Sequence, residues 1–195
     1  MPDWINIEAT ALAQFEDGLR LCQQSPVYHA EGDAYVHTMM VCDALKQLPE
    51  YQALNERQQH ILYVAALLHD IGKIPTTVFV DGDWHTPHHA PTGSRMVREL
   101  LWKDYGLCGQ KELMQVREAI SLLIRYHSYP PVAIERNNPR LRLHRMAANS
   151  TNFIVDCVGV FVIFAAHLAI AAFGPGGIAR ALGPGTIRFF VHSAV

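Results

Sequence analysis

Histidine is the residue type that stands out in this chain of 195 residues. There are 11, and seven of them lie between His37 and His127. His69 and Asp70 are adjacent, and Gly72 and Lys73 follow within one turn. A neutral imidazole beside an ionised carboxylate is unfavourable in an apolar setting unless both have partners. A divalent cation is one economical partner, because it accepts both ligand types at once. Bound in such a place, it lowers the pKa of its water from about 15.7 to about 7. His37, taken alone, reads as a hydrogen-bonded core residue. The His69-Asp70 pair beside Gly72-Lys73 reads as a metal site.

These residues must be positioned by helices. Apolar residues Ile5, Ala9, Leu12, Ala13 and Leu19 predict a helix over 5–23. Asp33 is a good N-cap for a second helix running to about Leu48, with Val36, Met40, Val41, Ala44, Leu45 and Leu48 on one stripe and His37 facing inward with them. The segment 55–71 is apolar on nearly every side from Ile61 to Leu68, the mark of a helix at the centre of a core. It carries His69 at its C-terminal end, and Gly72 and Pro75 close it. A long loop over 76–91 follows, with a short hairpin around Asp81-Gly82. Segments 93–105 and 111–126 read as two more amphipathic helices, and Pro130, Pro131 and Pro139 mark a loop beyond them. The fold class is all-α, a helical bundle over 1–150 with an atypical hydrophobic and Gly/Pro-rich tail over 151–195.

The blocks YHAEGDAYVHTMMVCDAL, YVAALLHDIGKIP, HHAPTGSRMVRELLW and LIRYHSYP, in that order, resemble the HD-domain superfamily of metal-dependent phosphohydrolases. They are similar to the HD domains of some bacterial nucleotidyltransferases and of proteins that pair an HD domain with a P-loop kinase-like domain. The resemblance covers about Val27 to Pro131. It implies that His37, His69 and Asp70 hold a divalent metal together with a distal aspartate, and that two-metal members add two histidines. By position these are His89 and His127, each at a helix end. Beyond His127 the one aspartate is Asp156, which the resemblance makes the distal ligand, although its setting lacks the Ala-Asp and basic context of the family. One or two ions of Mn, Fe, Ni, Co or Mg are implied, with Asp70 as the natural bridge because a carboxylate offers two oxygens. Asp70 and Lys73 are the catalytic candidates. Lys73 reads equally as a phosphate contact and as a cation at a helix C-terminus. His85 and His88 read as loop residues, His29 as a rim residue, His60 as solvated and His144 as part of a basic loop. Arg95 and Arg125 read as solvated surface.

Composition excludes several classes. Sixteen Lys+Arg against eighteen Asp+Glu, a net charge of −2, leaves no basic excess for a general nucleic-acid surface. Half the residues are hydrophobic, which excludes a disordered chain. Cys22, Cys42, Cys108 and Cys157 are scattered without a CxxC pair, so neither a disulfide framework nor a zinc ribbon fits, and a cytoplasmic setting does. No signal peptide is visible at the N-terminus. The shortage of charge is concentrated in the tail, where 153–173 is long enough to cross a bilayer.

Three readings follow, in this order. The first is a phosphohydrolase that cleaves a phosphate ester, with a nucleotide as the expected substrate, by metal-activated hydroxide. The second is a non-catalytic HD-type binding module with an incomplete metal site. The third is a helical head anchored to a membrane by 153–173. The sequence leaves substrate, metal identity and oligomeric state open.

Overall fold

The computed structural model describes residues 2–25 and 32–128. Seven α-helices carry the described fold: α1 (Trp4–Thr10), α2 (Glu16–Leu21), α3 (Ala34–Gln47), α4 (Pro49–Gln52), α5 (Glu56–Leu68), α6 (His89–Lys103) and α7 (Lys111–Tyr126). A 3₁₀ turn, Ile71–Lys73, follows α5, and a two-stranded antiparallel ribbon, β1 (Val78–Val80) and β2 (Asp83–His85), separates that turn from α6. Among the described residues the protein is all-α apart from this ribbon. Among the described residues no helix is long and apolar enough to cross a membrane. The candidate span 153–173 lies outside them.

α5 occupies the middle. Its start is fixed by a capping box, in which Asn55 accepts from the Gln58 amide and Gln58 reaches back to the Asn55 amide. Ile61, Leu62 and every residue from Val64 to Leu68 are buried, as an all-round apolar helix requires. α1, α3 and α7 pack against it, and α6 lies along α7 and against the 3₁₀ turn. Asp33 caps α3 by accepting from the Val36 amide at 2.9 Å. That helix buries Ala34, His37, Thr38, Val41, Cys42 and Leu45, a face turned slightly from the apolar stripe of the sequence.

Three local differences have physical causes. The helix expected over 5–23 is broken by turns at 11–15, which bring Ile7, Ala11, Leu12 and Leu19 to the core and leave Ile5 81% exposed. α6 begins at His89 rather than near Gly93, because a proline in the first turn of a helix gives up an amide that would be unpaired anyway, so Pro91 does not delay the start. His60 is only partly solvated. It stacks on Trp4 with ring centroids 5.5 Å apart and has Nε2 3.6 Å from Glu8 Oε1, pinning α1 to α5.

The hairpin turns where expected. Asp81 and Gly82 have φ of 53° and 84°, the pair of positive values that a two-residue turn matched to strand twist needs. Phe79 and Trp84 pair across it with centroids 4.9 Å apart.

Candidate metal centre

The ends of four elements meet at Asp70. His37 comes from the first turn of α3, His69 from the cap of α5, His89 from the first position of α6 and His127 from the cap of α7. Asp70 itself lies between α5 and the 3₁₀ turn, 2% exposed. Its Oδ2 has Lys73 Nζ at 2.8 Å, His69 Nε2 at 3.2 Å and His37 Nε2 at 4.0 Å. Its Oδ1 has His89 Nε2 and His127 Nε2, each at 3.7 Å. One carboxylate thus serves a histidine pair on either side.

The histidines are oriented by backbone. The last carbonyls of a helix lack intrahelical partners. His69 Nδ1 donates to Ala66 O and His127 Nδ1 to Ile124 O, both at 2.7 Å, so each ring satisfies one such carbonyl. His89 Nδ1 donates to Thr86 O at 2.9 Å, at the mouth of the hairpin. A carbonyl oxygen can only accept, so each of these Nδ1 atoms carries a proton and each Nε2 is turned towards Asp70. This is the arrangement by which outer hydrogen bonds fix the tautomer of a metal-binding imidazole.

The electrostatics agree. Burial alone would raise the Asp70 carboxyl, but His69, Lys73 and His89 outweigh it and hold the group well below the usual carboxylate range. Burial lowers His127 well below 6.5, assisted by His69 and His89, and lowers His89 against the pull of Asp70. Both rings are therefore neutral at neutral pH. Their Nε2 atoms face each other at 3.2 Å. Asp70 Oδ2 is also buried without a hydrogen bond of good geometry, even with Lys73 Nζ at 2.8 Å. A cation resolves both features, and the donor set of imidazole and carboxylate suits first-row divalent ions. His37, His69 and Asp70 form one group able to hold a metal ion, and Asp70, His89 and His127 form a second.

Gly72 makes this convergence possible. A Cβ there would stand 2.0 Å from His89 O and 2.5 Å from Gly93 N, so the 3₁₀ turn and the first turn of α6 touch backbone to backbone. Lys73 is 4% exposed and is held between Asp70 and the side-chain oxygen of Gln24. Its position at Asp70, rather than at the surface, follows from that ion pair. Gln24 carried no signal in the sequence, since a glutamine in a loop after a helix has no pattern to betray it. His85 and His88 are exposed in the hairpin and at the cap of α6. Asp156, His29 and His144 lie outside the described residues.

A helical fold closing on one carboxylate and four histidines defines the class. The family model described as HD domain matches residues 34–152, more than half of the chain. The protein belongs to the HD-domain family. Comparison with curated proteins and with solved structures returns no match.

Proposed function

We propose that this protein is a metal-dependent phosphohydrolase that cleaves a phosphate ester, of a nucleotide in the first instance, in the cytoplasm. The observation that carries the reading is the sharing of Asp70, with Oδ2 towards His37 and His69 and Oδ1 towards His89 and His127. Membership of the HD-domain family supports it. A divalent ion bound there supplies a Lewis acid for a phosphoryl oxygen and an acidified water. The chain's own residues do the rest. His37, His69, His89 and His127 turn Nε2 towards Asp70, and Asp70 stays ionised. Lys73 keeps a cation beside the carboxylate where phosphate charge would gather. The buried Cys22 and Cys42 are free thiols, in keeping with a reducing compartment.

A second reading, a binding module without turnover, draws support from one observation. The family match ends at residue 152, short of Asp156, so the distal aspartate is unassigned. One experiment separates the two. Elemental analysis of purified protein is run beside a panel of nucleotides and simple phosphodiesters, with His69→Ala and Asp70→Ala as controls. The hydrolase reading expects bound metal and turnover, both lost in the two variants. Metal-free protein without turnover favours the module, and full metal in both variants removes the centre from either reading.

A further inference from the structure

Lys73 is a buried ammonium with three protons to place. One is drawn to Asp70 Oδ2 by the ion pair at 2.8 Å, outside hydrogen-bond geometry. Another goes to Gln24 Oε1, and Gln24 Nε2 in turn donates to Gly32 O at 3.2 Å. Gln24 is 8% exposed, so this amide is held at both ends inside the protein. The next residue repeats the pattern, since Ser25 Oγ donates to Asp83 Oδ2 at 2.7 Å and ties down the hairpin that precedes His89. Both residues precede the region matched by the family model, which starts at residue 34. Side chains that steady the centre therefore enter from chain outside the matched domain.

We propose that Gln24 is a positioning residue that holds the Lys73 ammonium on Asp70 and thereby sets the geometry of the candidate metal centre. Without its amide oxygen, Lys73 loses the one hydrogen-bond acceptor identified for it among the described residues and keeps only the ion pair with Asp70. The ammonium is then free to swing off Asp70 towards water, and the carboxylate loses its fixed orientation. A leucine fills the space without accepting, an asparagine falls one methylene short, and a glutamate keeps an acceptor at the same reach.

The test has two arms, and only the second rests on the metal reading. In the first, folded metal-free protein is treated briefly with acetic anhydride, and acylation of Lys73 is read by peptide mass spectrometry against the exposed Lys111. Gln24→Leu and Gln24→Asn should raise Lys73 labelling about tenfold, while Gln24→Glu stays near wild type. In the second, Mn²⁺ affinity is measured by titration. Gln24→Leu should weaken it about tenfold, the lower end of the range for outer-shell partners. In a Lys73→Met background the same change should have no further effect. A folded Gln24→Leu or Gln24→Asn protein with wild-type Lys73 labelling overturns the inference, as does simple additivity with Lys73→Met. If wild-type protein takes up no Mn²⁺, the metal reading falls, and the labelling arm alone decides on Gln24.

Discussion

A methyl group on Gly72 would lie 2.0 Å from the carbonyl oxygen of His89. No carbon tolerates that distance, and both partners are backbone, so neither can rotate away. The hydrogen bond from His89 Nδ1 to Thr86 O depends on the same local geometry. Gly72→Ala should therefore destabilise the protein by about 3 kcal/mol or more, as overpacking against a rigid neighbour does. It should also displace His89 from Asp70 and lower metal stoichiometry. A urea midpoint equal to that of wild type would show that the turn and α6 are less tightly joined than the backbone contact requires.

Asp70→Asn keeps the shape of the side chain and removes its charge. The buried Lys73 ammonium then has no counter-ion, a change that costs about 3–5 kcal/mol when one partner of a buried pair is removed. The metal-free variant should show that loss in urea unfolding, and bound metal should fall to under about a tenth of wild type, a loss at least the size seen for outer-shell partners. Unchanged stability would contradict the ion pair, and unchanged metal would contradict the centre.

Acid should destabilise the metal-free protein from a higher pH than carboxylates alone would cause. In the unfolded chain His89 and His127 titrate near 6.5, and both are lowered in the fold. Below 6.5 the unfolded state binds protons that the folded state refuses, so stability is lost as pH falls through that region. Each ring contributes up to about 1.4 kcal/mol per pH unit until its folded value is reached. Asp70 acts in the same direction further down. Its contribution is present above the ordinary value of 3.8 and is lost as pH falls through its lower folded value. Urea midpoints at pH 7.5, 6.5 and 5.5 measure the slope, which His127→Gln should reduce. Equal midpoints would show that these rings are not buried neutral.

Thiol chemistry should separate the cysteines. Burial pushes the Cys42 thiol up to about 12, whereas Cys108 is partly exposed. Since the thiolate is the reactive form, a short iodoacetamide pulse at pH 8 should label Cys108 in the folded protein and Cys42 only in denaturant. Rapid labelling of Cys42 under native conditions would mean that α3 separates from its neighbours on that timescale.

Much of this architecture was legible because local signals and tertiary demands coincide. α7 runs from Lys111 to Tyr126, as its apolar period indicates, and Asp81-Gly82 alone determines the hairpin turn. The convergence of His37, His69, Asp70, His89 and His127 followed from a resemblance and not from spacing, since periodicity cannot say which helix ends meet. What escaped was set by packing. Ile5 belongs to the apolar pattern of its segment but faces solvent, because the turns at 11–15 shift the phase of α2 relative to α1. His60 looked solvated on its flank, and only the arrival of Trp4 makes it part of an inter-helix contact. Gln24 gains its place from a partner 49 residues away, a separation across which sequence pattern is silent.

The facing imidazoles of His89 and His127 close a loop of 38 residues. Cys22, Cys42 and Cys108 are all free, so no disulfide restrains the described chain. A cation shared across that pair is a cross-link in the polymer sense. Taken on the loop-entropy scale used for disulfides, a closure of this length corresponds to about 4 kcal/mol. Chelation should then act on this protein's folding equilibrium much as reduction acts on a disulfide-stapled domain.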